Sequence, residues 1–177
     1  QGKEIYRALV SLQMKGRAKK IGVSVYDPCE LDAIWPRYHF DIVQAPLNIL
    51  DRRLILSGWL ERLREAGAEV HARSVFLQGL LLMDTVGRPK KFNRWHSLWQ
   101  KWHLWLAEET LTPLQACLAF VLAQPEIERG VVGVDSPEQL LEIIAVYERY
   151  EKNVLKFPND LMSFDTSLIN PTEWKSL

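Results

Sequence analysis

At 177 residues, with 22 basic and 22 acidic side chains, the chain carries no net formal charge, so no electrostatic footprint points to nucleic acid or an anionic membrane. A hydrophobic share of 47% is that of a globular protein rather than a disordered one, and the length suits a single domain over residues 1–177. No apolar run reaches the ~20 residues that span a bilayer and no basic-then-apolar leader opens the sequence, so the chain reads as cytoplasmic, with a small molecule or a protein as partner.

Gln1 stands first with no Met before it, which reads as processing or as a piece of something longer. Residues 4–14 predict a helix with Ile5, Leu9 and Leu12 on one face, closed by Gly16. The β-rich run from Ile21 to Tyr26 is the first strand. Asp27-Pro28-Cys29-Glu30 has the form of a helix start, with Asp27 as N-cap, Pro28 in the first turn and Glu30 able to reach back. Residues 40–46 form the second strand, with Gln44 near its end, and Leu47 to Arg53 form a loop. Leu56 to Ala66 predict one amphipathic helix stopped by Gly67, and Ala68 to Ser74 the third strand. Ser74 to Gly79 then offer a hydroxyl, an amide and a flexible Gly in a βα loop, where α/β proteins hold ligands.

Residues 84–111 interrupt this rhythm. Phe92, Trp95, Trp99, Trp102 and Leu106 recur at helical spacing, predicting an inserted Trp-rich helix that packs on the body or, as the rival reading, forms a lid or partner surface. Thr112-Pro113-Leu114-Gln115 repeats the helix-start signal, with Leu114, Leu118, Val121 and Leu122 inward. Ile127 to Val134, apolar almost throughout, predicts a fourth strand covered on both faces. Ser136-Pro137-Glu138-Gln139 gives the start signal a third time, for a helix to about Tyr150. After Glu151 the chain reads as a tail wrapping over the body. Cys29 and Cys117 both fit buried helical positions, and His96 and His103, seven apart, lack a third metal ligand.

Four βα units predict a parallel α/β fold, either an open sheet or part of a barrel. The segments Ile21-Gly-Val-Ser, Val43-Gln-Ala-Pro-Leu-Asn, Ser74 to Leu81 and Val132-Gly-Val-Asp-Ser-Pro-Glu-Gln-Leu resemble, in order and spacing, the second half of aldo-keto reductases. The resemblance covers roughly residues 3 to 147. It implies the C-terminal half of a (β/α)8 TIM barrel, strands five to eight, since a whole barrel takes roughly 250 residues. Stretches 47–53 and 75–82 resemble a bacterial branch tied to surface-polysaccharide pathways. The family passes a hydride between a nicotinamide cofactor and a carbonyl or sugar. Its catalytic Asp, Tyr, Lys and His belong to the first four strands, and nothing before residue 20 supplies them.

The same resemblance implies a cofactor site. Ser24 and Gln44 would bond the nicotinamide carboxamide. Ser74 to Gln78, Phe76 among them, would wrap the pyrophosphate with backbone N–H groups, and Gly133 would allow close approach. Asp135, Gln139 and Glu142 would lie at the adenosine, although helix capping explains Gln139 and Glu142 equally well. Val25 stands where the family commonly has Asn, Arg73 where it commonly has an aromatic residue stacked on the nicotinamide, and Ile143 where it has Asn. With Asp135 at the adenosine end and no Arg or Lys between residues 130 and 147, a 2′-phosphate would meet a carboxylate, which favours NAD over NADP. The isolated chain is then expected to be inactive. The alternative is a non-catalytic half-barrel that self-associates, or pairs with a separate N-terminal half, through its unpaired strand edges. An unrelated phosphate-binding α/β fold lacks the Gly-rich loop it needs.

Overall fold

The computed structural model describes residues 2–150 and 155–176. Four strands, β1 (Gly22–Ser24), β2 (Ile42–Pro46), β3 (Glu69–Arg73) and β4 (Ile127–Gly130), form one parallel sheet in the order β1-β2-β3-β4. Spatial order therefore equals chain order, the signature of successive βα crossovers. Gly22 lets β1 approach β2: a Cβ there would lie 2.6 Å from the Ile42 carbonyl oxygen.

The strands alternate in burial. Val43, Ala45, Val70 and Ala72 are fully buried against the helices, whereas Gln44, Glu69, His71 and Arg73 are half-buried on the opposite face. Ser24 is in register with Gln44, and Gln44 with His71, so a polar row crosses that face. One apolar cluster, including Val43, Leu54, Trp59 and Leu63, lies under β1 to β3, and a larger one joins the sheet to the later helices and the tail. Burying a side chain of this kind contributes about 1.5–3 kcal/mol.

Helices start at all three signals, the first one residue later than expected, with Pro28 rather than Asp27 in the N-cap position. Before α2 (Cys29–Ile34), the Asp27 carboxylate accepts from the Cys29 amide at 2.9 Å, and Glu30 accepts from the Tyr26 and Asp27 amides at 2.8 Å. Before α6 (Pro113–Leu122), Thr112 and Gln115 form a reciprocal capping box. Before α7 (Pro137–Glu148), Ser136 accepts from the Gln139 amide at 3.3 Å.

Several expectations are corrected. The helix expected over 56–66 is two short helices, α3 (Arg53–Leu56) and α4 (Trp59–Glu65), because Gly58 takes φ 75° and turns the chain between them. Helix α1 (Gly2–Met14) forms as expected, yet none of its residues is buried and Ile5 is 62% exposed, since no described element covers that face. The fourth strand stops at Gly130 rather than Val134, and its residues are exposed from Glu128 onward. It is the last strand in the sheet order, without the cover on both faces that its apolar sequence suggested. Cys29 is exposed at the first turn of α2, whereas Cys117 is fully buried in α6.

The Trp-rich insertion begins with a 3-10 turn (Lys90–Trp95) and continues as α5 (His96–Glu108). Trp99, Trp102, Trp105 and Leu106 are buried in the larger cluster, so the stripe packs inward. The expected departure of the tail after Glu151 lies outside the described residues. From residue 155 onward the tail does wrap the body: Leu161 and the α8 (Thr166–Ile169) residues Leu168 and Ile169 are buried. Arg52 donates to the Pro158 carbonyl at 2.7 Å, and the Ser163 amide donates to the Leu50 carbonyl at 2.9 Å.

Candidate functional site

A cleft of about 740 Å³ opens at the carboxyl ends of the strands, the size class of small-molecule and cofactor sites. Of the residues singled out from the sequence, Gln44, Arg73, Ser74, Phe76, Gln78, Gly133, Asp135, Gln139 and Glu142 line it. Ser24 does not, but its hydroxyl donates to the side-chain oxygen (Oε1) of Gln44 at 3.3 Å, joining it to the rim.

The floor is the segment from Ser74 to Gly79, folded in two consecutive turns. Leu77 donates to the Ser74 carbonyl at 2.9 Å, and Leu80 to the Leu77 carbonyl at 3.0 Å. Ser74, Leu77 and Gln78 have φ of 59°, 47° and 54°, and Gly79 has 81°. A non-glycine residue in that region costs about 1–3 kcal/mol, so the surrounding structure must impose the conformation. The central amides of the two turns, at Val75, Phe76, Gln78 and Gly79, donate to no acceptor among the described residues. Uncommitted backbone N–H groups at successive turns are the kind of donor from which backbone anion sites are built.

Arg73 is fixed at the edge of this floor. Its guanidinium donates to the Val25 carbonyl at 3.0 Å and the Ser74 hydroxyl at 3.2 Å, and stacks on the Tyr26 ring at 4.6 Å. Its charge is therefore held in place without a carboxylate. At the far end Gln139 uses its side-chain oxygen to accept from the Asp135 amide at 2.8 Å, so its cap role is occupied while it lines the cleft. A Cβ on Gly133 would meet nothing within 4 Å. Arg73 is the only cation lining the cleft among the described residues, and Asp135 and Glu142 are its carboxylates.

Sequence reasoning missed other wall residues. Thr112, Pro113 and Leu114, read only as a helix start, form one side of the cleft. It also missed Asn48, which is 1% exposed and donates to the Ser74 carbonyl at 3.0 Å. The signal the sequence offered was a short polar side chain just past a strand end; its burial is visible only in the fold.

The sequence profile described as the aldo/keto reductase family matches residues 2–155. Among solved structures, the holo form of an aldo-keto reductase, AKR11C1 from Bacillus halodurans, is similar at a TM-score of 0.63 and 19% identity, covering 84% of this chain and 51% of that one. Its apo form gives 0.65 and 19%, covering 86% and 53%. A thermostable aldo-keto reductase, Tm1743, in complex with the inhibitor epalrestat gives 0.57 and 22%, covering 88% and 50%. The chain thus spans about half the length of these relatives. No curated protein matches it significantly.

Proposed function

Because the chain belongs to the aldo-keto reductase family, we propose that it is the cofactor-binding half of an NAD(P)-dependent reductase, with β1 to β4 as strands five to eight of the barrel. The observation that carries this reading is the set of uncommitted backbone amides at Val75 to Gly79 in a cleft lined by Gln44, Gly133 and Gln139. Those groups fit a dinucleotide: uncommitted N–H donors for a pyrophosphate, an amide with Ser24 beside it for a carboxamide, and an open glycine where the ligand passes.

When bound, the nicotinamide would supply the hydride that the parent enzyme exchanges with a carbonyl or sugar. This chain's residues bind and orient. Gln44, bonded to Ser24, presents its amide at one end, and Ser74 to Gln78 neutralise phosphate charge through the backbone. Asp135, Gln139 and Glu142 face the adenosine. A 2′-phosphate there would meet carboxylates and no cation, which favours NAD over NADP. The fixed charge of Arg73 opposes a cationic oxidised ring, so the reduced form binds more tightly. The catalytic residues that the family places on its first four strands are not assigned to this chain, and alone it turns nothing over.

The test is a titration of the purified chain with NADH and NADPH, following cofactor fluorescence and thermal unfolding together. Saturable binding of NADH that raises the Tm is expected, as linkage requires. A cooperative melt unaffected by either dinucleotide would overturn the reading, and equal affinities would overturn the preference for NAD.

A second reading, a half-barrel scaffold, is favoured by the exposed strand β4 and by α7, where Leu141 and Tyr147 are 65% and 61% exposed. It predicts self-association through the edges of β1 and β4. A monomer in sedimentation at working concentration counts against it.

A further inference from the structure

The left-handed conformations at Ser74, Leu77 and Gln78 are unfavourable by themselves, and something outside the loop must hold them. Two contacts reach it from the loop after β2. The Leu47 amide donates to the Arg73 carbonyl at 3.0 Å, and the Asn48 side chain donates to the Ser74 carbonyl at 3.0 Å. The latter is the oxygen that also accepts from Leu77 to close the first turn. Asn48 has no freedom to do otherwise. It is 1% exposed, and its side-chain oxygen accepts from the Leu50 and Asp51 amides at 3.0 and 2.9 Å, which locks its rotamer and aims its amide group at Ser74.

The loop carrying Asn48 is itself braced on both sides. Arg53 bonds Asp51 and Asp27 and donates to the Tyr26 carbonyl, which ties it to the end of β1. Arg52 donates to the Ile49 carbonyl at 2.9 Å and to the tail at Pro158. Residues 47–53 are therefore tied to the body on both sides, and their one side-chain bond to residues 74–79 is made by Asn48.

We propose that Asn48 is a positioning residue for a backbone anion site: its bond to the Ser74 carbonyl holds the segment 74–79 with the amides of Val75, Phe76, Gln78 and Gly79 uncommitted. This rests on the dinucleotide reading of the same cleft. Asn48 touches no ligand. Its loss lets Ser74 relax out of the left-handed region, and the amides then lose the arrangement the two turns give them. The effect falls on the anionic middle of a ligand and not on its base.

The experiment is an NMR titration of the whole chain with ADP-ribose and, separately, with adenosine, for the wild type, Asn48→Ala and Asn48→Asp. Asn48→Asp keeps the oxygen that serves Leu50 and Asp51 but sets a buried carboxylate against the Ser74 carbonyl, so it removes the donor and adds a charge, whereas Asn48→Ala removes the donor and adds none. ADP-ribose affinity is expected to fall by roughly tenfold or more, the equivalent of one buried hydrogen bond, with adenosine affinity unchanged. Equal losses for both ligands would mark Asn48 as merely structural and overturn the proposal, and so would an unchanged ADP-ribose affinity. A wild type that binds neither ligand would overturn the dinucleotide reading itself. Should neither variant fold, the wild-type spectrum decides. The Asn48 side-chain amide and the 75–79 backbone amides must shift with ADP-ribose and not with adenosine, and resonances unmoved by ADP-ribose overturn the assignment.

Discussion

Arg53 grips Asp51 in a two-point contact, Nε to Oδ1 and Nη2 to Oδ2, both at 2.9 Å. Asp51 is fully buried, and hydrogen bonding to it holds the Arg53 proton more firmly than usual. Removing Asp51 takes away two charged hydrogen bonds and leaves Arg53 with Asp27 as its remaining carboxylate, so Asp51→Ala should lower stability by about 1.5–3 kcal/mol. The double variant Asp51→Leu with Arg53→Met should recover part of that loss. A double-mutant cycle in urea measures the coupling, and additive losses would show that the pair does not act as a unit.

The close approach of β1 to β2 gives a second prediction. Gly22→Ala puts a methyl carbon 2.6 Å from the Ile42 carbonyl oxygen, and backbone on both sides leaves little to yield. Stability should fall by about 1–3 kcal/mol, read from the urea midpoint. A change under roughly 0.5 kcal/mol, the range of an uninvolved surface site, would mean that β1 shifts freely.

The two thiols should behave oppositely. Cys29 is exposed, but hydrogen bonding to Asp27 raises its pKa, so its thiolate is scarcer than in an ordinary cysteine. Cys117 is fully buried, and burial pushes its pKa up strongly. A disulfide reagent at pH 8 should label Cys29 alone in the native chain, slowly, and faster in Asp27→Asn; Cys117 should react only in denaturant. Rapid native labelling of both would contradict the packing of α6.

Acid should weaken the insertion. The Arg88 guanidinium, stacked on Trp99 at 4.1 Å, lies 3.1 Å from His103 Nε2. Burial first and the Arg88 charge second lower the His103 pKa. The folded state thus resists a proton that the unfolded chain accepts near its usual value of about 6.5. The stabilisation is complete above that value and is lost as pH falls from it toward the lower folded pKa. Urea midpoints at pH 7.5 and 5.5 should differ, and His103→Gln, which keeps an acceptor for Arg88, should narrow the difference.

What was legible in the sequence was local. The starts of α2, α6 and α7 could be read because Asp27, Thr112 and Ser136 bond within four residues of themselves. The break at Gly58 was not, since a glycine flanked by helix formers looks the same whether its φ is negative or positive. Cys29 was misplaced because a face read over one turn of α2 does not say which side meets the sheet. Gln44, Ser74 and Gly133 were grouped by resemblance rather than by periodicity, and they line one cleft. Asn48 belongs to a segment legible by resemblance, but its role was not, because its partner is 26 residues away, a distance at which no spacing rule operates.

Because spatial order equals chain order, β1 pairs with β2, β2 with β3 and β3 with β4. Each new strand finds its template already laid down by the unit before it, and no strand must wait for a later one to be inserted beside it. The sheet can therefore grow vectorially, one βα unit at a time, as the polypeptide leaves the ribosome. The bracing of residues 47–53 is complete only when Pro158 and Ser163 reach Arg52 and Leu50. The loop that braces the cleft then gains these contacts only after the chain past residue 163 has been made.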